Sequence, residues 1–228
     1  MSLRIAVLIS GAGTTLQSLI DHRERGVLPV ELAAVVSSKP GAAGLERARK
    51  AGIPAHGLDR RAFRDESAFN DALHAILEPI APDLVVLAGF LSRFELRGRF
   101  EGRAINTHPA LIPAFCGPGF YGMRVHRAVL EKGVRVSGAT VHYCDEEYDN
   151  GPIILQRAVP VLQSDTPESL AERVQAAERE LLPEAIVLHA EGRLRIEGRR
   201  VRILPPPARE GSASDQARPA GPGKTGLT

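Results

Sequence analysis

Short apolar runs alternate with segments of helical periodicity along the first half of the chain. The predicted strands lie at 3–9, 32–37, 84–88 and 103–107. The predicted helices lie at about 14–25, 41–51 and 66–79. Strands that alternate with helices are typical of a parallel sheet, and three of these strands are continuous apolar runs, which burial on both faces requires. The pattern therefore predicts an α/β fold with a mainly parallel sheet and helices on both faces.

The pattern changes beyond residue 133. Val134–Cys144 and Ile153–Val161 resemble strands, and the turn-rich segment 148–152 separates them. They are expected to pair as an antiparallel extension in the C-terminal part of the sheet. A long helix is predicted next, with Ser164 or Asp165 as the candidate N-cap before Pro167.

Composition narrows the class of protein. The length of 228 residues and the Pro/Gly/Ser-rich end favour a single domain over residues 1–204 followed by a disordered tail over 205–228. A net charge of +2 requires neither a nucleic acid nor a membrane as partner. Two cysteines, Cys116 and Cys144, are too few for a disulfide scaffold, and no His/Cys spacing suggests a metal. No targeting or membrane-spanning segment stands out, so a cytoplasmic location is expected.

The loop after the first strand carries the first chemical signal. Residues 10–15 read Ser-Gly-Ala-Gly-Thr-Thr at the predicted start of a helix, where free backbone amides can bind an anion. A nicotinamide cofactor is disfavoured, because Leu16 stands where the dinucleotide fingerprint needs a third glycine and no acidic residue ends the second strand. Two interpretations stay open: a plain tight turn, or a phosphate monoester site in which Gly13, Thr14 and Thr15 donate.

A second signal lies where the strand over 103–107 ends. Asn106 and His108 are alternate residues before Pro109 and therefore face the same side. Asp149, in the turn before Gly151, could supply the carboxylate that a proton-transfer site needs. His142 could be a second catalytic histidine or a structural residue that hydrogen-bonds that turn, and the structural role is favoured because His108 already supplies an imidazole. The other histidines are interpreted as surface or helix residues: His22, His56, His74, His126 and His189.

Seven motifs together resemble the phosphoribosylglycinamide formyltransferase family, and the resemblance covers nearly all of residues 3–205. The motifs are SGAGTTLQ at 10–17, GLERARKAGIP at 44–54, VVLAGF at 85–90, INTHPALIP at 105–113, VHRAVLEKGV at 125–134, SGATVHY at 137–143 and DNGPIILQ at 149–156. The resemblance implies a Rossmann-like fold. It also implies transfer of a formyl group from 10-formyltetrahydrofolate, as co-substrate, to the amine of glycinamide ribonucleotide, without a metal.

The resemblance assigns roles to individual residues. Asn106 matches the oxyanion-binding asparagine, His108 the catalytic histidine and Asp149 the aspartate that pairs with it. Residues expected to bind the ribonucleotide are Gly13, Thr14, Thr15, Gln175 and Glu178. Residues expected at the folate pocket, besides Asn106, are Arg64, Leu91, Ser92, Arg93, Phe94, Asp145, Glu146, Glu147 and Tyr148.

Three departures from the family pattern concern ligand contacts. Ala12 and Thr15 stand where the family often has Asn. Leu91-Ser92-Arg93-Phe94 replaces the common Met-Arg-Ile-Leu, which moves the arginine by one position. Glu66 aligns with an expected arginine, for which the nearby Arg64 is the only candidate replacement.

Three rival functions are considered. A formyltetrahydrofolate deformylase would use the same catalytic residues but carry an additional N-terminal domain. A methionyl-tRNA formyltransferase would carry a C-terminal barrel, for which residues 205–228 are too few. A non-catalytic folate- or nucleotide-binding homologue is the third. The expected partners are small-molecule substrates, and the sequence allows either a monomer or a homodimer.

Overall fold

A computed structural model of the chain describes residues 2–206. Its strands are β1 (Leu3–Ile9), β2 (Val30–Ser37), β3 (Ala55–Gly57), β4 (Leu84–Leu87), β5 (Ala104–His108), β6 (Val136–Tyr143), β7 (Ile153–Pro160), β8 (Leu194–Glu197) and β9 (Arg200–Ile203). Its α-helices are α1 (Thr14–Glu24), α2 (Ala43–Lys50), α3 (Glu66–Ile80), α4 (Met123–Lys132) and α5 (Pro167–Ala190). The predicted tail lies almost entirely outside the described residues, and the single-domain assignment to residues 1–204 stays a prediction.

All nine strands form one sheet in the order β3-β2-β1-β4-β5-β6-β7-β9-β8. Neighbours from β3 to β5 are parallel, whereas β5, β6 and β7 pair antiparallel. The expected mainly parallel α/β sheet with an antiparallel extension is confirmed. Within residues 2–206, no helix combines the length and the apolar character that a membrane crossing requires.

Burial on both faces follows from the continuous apolar strands. Successive residues of β1 belong to different apolar clusters: Ile5, Val7 and Ile9 to one, Ala6 and Leu8 to the other. The first cluster packs against α1, α2, α4 and α5, and the second against α3 and the segment 90–100. Helices therefore cover both faces, and the polar loops meet at the strand ends.

The predicted elements agree with the structure to within about two residues at their boundaries. One detail was wrong: the N-cap of α5 is Thr166, not Ser164 or Asp165. Pro167 is the first helical residue, so the residue directly before it must be the cap, and the Thr166 side chain accepts a hydrogen bond from the Ser169 amide. The elements that were not predicted are β3, α4, β8 and β9.

Candidate active site

A cavity of about 550 Å³ opens at the carboxyl ends of β4 and β5. Because β1 lies between β2 and β4, the strand order reverses at β1, and ligands of open α/β sheets bind at such a reversal. The walls come from the segments 89–94, 106–109, 117–123 and 144–149, together with residues of α1 and α5. The β5 residues of this wall are Asn106, Thr107 and His108.

Asn106 lies directly opposite His142 in the antiparallel pairing of β5 with β6. Its Nδ2 atom is 3.2 Å from His142 Nε2 and 3.2 Å from Asp149 Oδ1. The His142 Nδ1 atom donates to the Tyr143 carbonyl at 2.8 Å, so Nε2 of the neutral ring accepts from the amide. His142 therefore orients Asn106, and because its Nε2 atom lies 3.7 Å from Asp149 Oδ1, the support predicted for the Asp149 turn stays a prediction.

Asp149 approaches Asn106 and His108 from the turn after β6. Its Oδ2 atom accepts a hydrogen bond from the Gly117 amide at 3.0 Å and lies 3.3 Å from His108 Nδ1. Burial alone would raise the pKa of Asp149, but His142, His108 and the Gly117 amide outweigh burial and hold the pKa below its usual value. Asp149 is consequently a carboxylate at neutral pH, in contact with Asn106 and His108 of β5.

The ring of His108 is placed to exchange a proton. Its Nε2 atom lies 2.8 Å from the Phe115 carbonyl, which can only accept, so Nε2 carries a hydrogen and the neutral ring turns the lone pair of Nδ1 toward Asp149. Burial lowers the pKa of His108, although Asp149 and the Phe115 carbonyl act against burial. A proton taken up at Nδ1 would complete an ion pair with Asp149.

The loop before α1 presents free backbone donors. Gly13 is the N-cap of α1 with φ 71, and no side chain caps the helix. Thr14 and Thr15 line the cavity, whereas Gly13 does not. Uncapped amides at a helix start are suited to bind an anion. The two earlier interpretations, tight turn and anion site, are therefore compatible at this loop.

Glu178 of α5 lies at the cavity wall with Gln175. Its Oε1 atom accepts a hydrogen bond from Thr107 Oγ1 at 3.0 Å. Burial raises the pKa of Glu178 to about 7, and the Thr107 hydrogen bond acts in the opposite direction. Near neutral pH, this carboxyl group is therefore close to half ionised.

The hydroxyl of Thr107 is expected to control that ionisation. Thr107→Val removes the hydrogen bond to the ionised carboxyl at nearly constant volume, so the pKa of Glu178 should rise above about 7. Carbon-13 NMR of the labelled Glu178 carboxyl, titrated in the wild type and the variant, measures this rise. Thr107→Ser keeps a hydroxyl and serves as the control. An unchanged Glu178 pKa in the valine variant would contradict the assigned bond.

The residues predicted for the folate pocket are brought together, with one exception. Leu91, Ser92, Arg93 and Phe94 line the cavity, and so do the residues of the facing loop, Asp145, Glu146, Glu147 and Tyr148. Arg93 Nη2 bridges the two segments, because it donates to the carbonyl of Glu146 at 2.9 Å and to its carboxylate at 3.1 Å. Leu91 and Tyr148 remain largely exposed at the rim.

Arg64 is the exception. Its side chain is 87% exposed, pairs with Asp65 at 2.9 Å and does not line the cavity. Asp65 is fixed because it caps α3 through the Ala68 amide, and this holds the Arg64 guanidinium on the outer surface. Arg64 therefore lies outside the cavity, and its replacement of the arginine missing at Glu66 stays a prediction.

Sequence reasoning missed His126 at this site. His126 belongs to α4, as a helix residue was expected to, but it is 3% exposed and lines the cavity. Burial lowers its pKa, and its Nδ1 atom has no partner among the described residues. The amphipathic spacing of Val125 and Val129, both buried, was the available signal that this part of α4 faces inward.

The arrangement suits chemistry in which negative charge develops on an oxygen while a proton is moved. An amide donor, an imidazole and a carboxylate meet at one end of the cavity, and anion-binding amides and a buried carboxyl lie elsewhere along its wall. Across residues 2–206, His, Cys, Asp and Glu side chains form no group of three that could hold a metal ion.

Residues 3–186 match the family described as formyl transferase. The structure of glycinamide ribonucleotide transformylase 1 from Symbiobacterium toebii shares 48% sequence identity at a TM-score of 0.83, covering 90% of this chain and 95% of that chain. Phosphoribosylglycinamide formyltransferase of Escherichia coli (strain K12) is 38% identical, over 94% of this chain and 100% of the relative. The trifunctional purine biosynthetic protein adenosine-3 of Bos taurus is 42% identical over 85% of this chain. This chain spans only 19% of the length of that trifunctional relative.

Proposed function

Because this chain belongs to the phosphoribosylglycinamide formyltransferase family, we propose that it transfers a formyl group from 10-formyltetrahydrofolate to the primary amine of glycinamide ribonucleotide. The observation that carries the proposal is the meeting of Asn106, His108 and Asp149 inside one cavity. Both substrates are small molecules, and the reaction is a step in purine biosynthesis.

Glycinamide ribonucleotide is proposed to bind between α1 and α5. Its phosphate would accept hydrogen bonds from the uncapped amides of Gly13, Thr14 and Thr15, where the positive end of the helix dipole favours an anion. Its ribose hydroxyls would donate to Glu178, with Gln175 beside it. Held at these two points, the ribonucleotide would extend its amine toward Asn106 and His108.

The folate donor is proposed to lie between the segments 89–94 and 144–149. Apolar side chains such as Leu91 and Phe94 would contact its rings, and the backbone of the facing loop offers hydrogen bonds. The Arg93–Glu146 contact already joins the two segments on one side of this space. The donor's formyl carbon would then face the acceptor amine beside His108.

Asn106, His108 and Asp149 would each perform a different part of the reaction. The amine nitrogen attacks the formyl carbon, and the carbonyl oxygen becomes an alkoxide that Asn106 and His108, once His108 has taken up a proton at Nδ1, stabilise with hydrogen bonds. Asp149, directly or through a water, accepts a proton from the new ammonium. When the intermediate collapses, the carbon–nitrogen bond to the folate breaks and His108 protonates the leaving nitrogen.

The hydrogen bonds that Asn106 makes in the structure must change during this reaction. Both hydrogens of the Asn106 amide are engaged, one with Asp149 and one with His142. One of them must be released to the alkoxide. A preorganised donor of this kind contributes about 3–4 kcal/mol to barrier lowering, and a positioned acid or base contributes about 10²–10⁴-fold.

Acceptor dependence tests the proposal. Consumption of 10-formyltetrahydrofolate, followed spectroscopically with purified protein, is expected only when glycinamide ribonucleotide is present. Equal consumption without the ribonucleotide would instead indicate a deformylase. Binding of both ligands without consumption would indicate a non-catalytic homologue, and either result would overturn the proposal.

A further inference from the structure

We propose that Arg47 is a positioning residue for the phosphate of the acceptor, and that it acts by holding the loop before α1 in its anion-binding shape. The proposal rests on the proposed function. Arg47 belongs to α2 and does not line the cavity. Any effect of Arg47 on phosphate binding must therefore be transmitted through the loop.

Two carbonyls of the loop are held from the α2 side. Arg47 Nε donates to the Ala12 carbonyl at 2.9 Å, and the Gly44 amide donates to the Gly11 carbonyl at 3.1 Å. The second arm of the guanidinium, Nη1, donates to Gln17 Oε1 on α1 at 3.1 Å. Arg47 thus connects the loop to the helix that follows it.

Because the peptide unit is planar, holding these two carbonyls also fixes the direction of the neighbouring N–H groups. In a planar trans peptide, the carbonyl of one residue and the N–H of the next point opposite ways. With the carbonyls of Gly11 and Ala12 turned toward α2, the N–H groups of Ala12 and Gly13 must turn away from it. The loop is bonded to α2 through these carbonyls and continues directly into Thr14 and Thr15, which line the cavity.

Close packing leaves the loop little freedom to take another path. A Cβ atom added to Gly13 would lie 2.6 Å from Gly44 Cα, and a Cβ atom on Gly44 would collide with Ile9. Gly44 and Arg47 are three residues apart and share a face of α2. On this face of α2, Gly44 therefore packs against the loop and Arg47 holds the loop by hydrogen bonds.

The experiment compares two acceptors in steady state: glycinamide ribonucleotide and the corresponding ribonucleoside, which lacks the phosphate. In Arg47→Ala, the KM for the ribonucleotide should rise about ten-fold, while kcat and the KM for the ribonucleoside stay near wild type. Arg47→Lys keeps the charge but cannot make both bonds, so it should restore only part of the loss. Arg49→Ala, on the exposed side of the same helix, is the matched control and should behave as wild type.

Three results would overturn the proposal. They are an unchanged KM in Arg47→Ala, an equal rise in KM for both acceptors, and full restoration by lysine, which would indicate charge alone.

A proton–nitrogen NMR titration with inorganic phosphate gives a readout that does not depend on turnover. The Thr14 amide should shift in the wild type and not in Arg47→Ala. If the wild type binds phosphate at Thr14 but transfers no formyl group, the proposed function fails while this inference stands. If Arg47→Ala does not fold, Gln17→Met removes the second Arg47 bond, together with the Gln17–Asp21 bond of α1, and should change both readouts in the same direction.

Discussion

Asp149→Asn is expected to lower kcat by about 10³–10⁴-fold with little change in stability. The substitution keeps the shape of the side chain but removes the carboxylate that faces His108 Nδ1 at 3.3 Å and accepts from Asn106. The new amide can neither take a proton from the ammonium of the intermediate nor pair with a protonated His108. Steady-state turnover, with thermal unfolding of the same preparations, measures the loss.

The pH dependence of the remaining activity gives a second readout of the same change. Asp149 raises the pKa of His108 against the effect of burial, so the variant should show a still lower pKa for this ring. The protonated form of His108 would then be lost at a lower pH than in the wild type. Asp71→Asn, an exposed carboxylate paired with Arg97, is the control. Wild-type turnover in Asp149→Asn would contradict the assigned role.

Asn106→Asp is expected to lower kcat by about 10²–10³-fold. It replaces the amide that bridges Asp149 and His142 by a second carboxylate of nearly the same shape. The donor to the alkoxide disappears, and a like charge is created beside Asp149. Two neighbouring carboxylates cannot both ionise easily, so the pKa of Asp149 should rise and the acidic limb of the pH–rate profile should move upward.

Asn106→Ala separates these two effects, because it removes the donor without adding a charge. The alanine variant should lose turnover and move the acidic limb upward only through the lost hydrogen bond to Asp149, whereas the aspartate variant adds a charge and should move the limb further. The pH–rate profiles of both variants provide the comparison. If the two profiles coincide, the carboxylate of Asp149 is not the group that titrates.

The parallel half of the fold could be predicted because burial on both faces leaves a plain signature. Every residue in the buried parts of β1 and β4 is apolar, so these runs predicted buried strands without an analysis of hydrophobic periodicity. The hairpin of β8 and β9 gave no such signal. Its arginines and glutamate face solvent at the edge of the sheet, where charged side chains are favoured, and they obscured the alternating Leu, Ile and Val.

The candidate site could be predicted only in part. Alternation along β5 was sufficient to place Asn106 and His108 on one side, because that relation is local. The approach of Asp149 joins residues 43 positions apart, and it came from the family resemblance together with the turn signal. The catalytic and binding roles of these residues stay predictions, and what the structure adds is their distances.

The failures at the site also have physical causes. Arg64 was placed by alignment, yet its neighbour Asp65 caps α3 and keeps the guanidinium outside the cavity. The bond between Thr107 and Glu178 joins two elements 71 residues apart, and no local pattern indicates it. Arg47 was part of a motif that carried the resemblance, but its contact with the Ala12 carbonyl depends on the packing of α2 against the loop.

The fate of the formyl carbon tests the central claim most directly. The purified full-length chain would be given carbon-13-labelled 10-formyltetrahydrofolate and glycinamide ribonucleotide, and the products followed by NMR. We expect the label to appear as an N-formyl group on the ribonucleotide, at a rate that collapses in Asp149→Asn. Label released only as free formate, or label retained on the folate, would contradict the account.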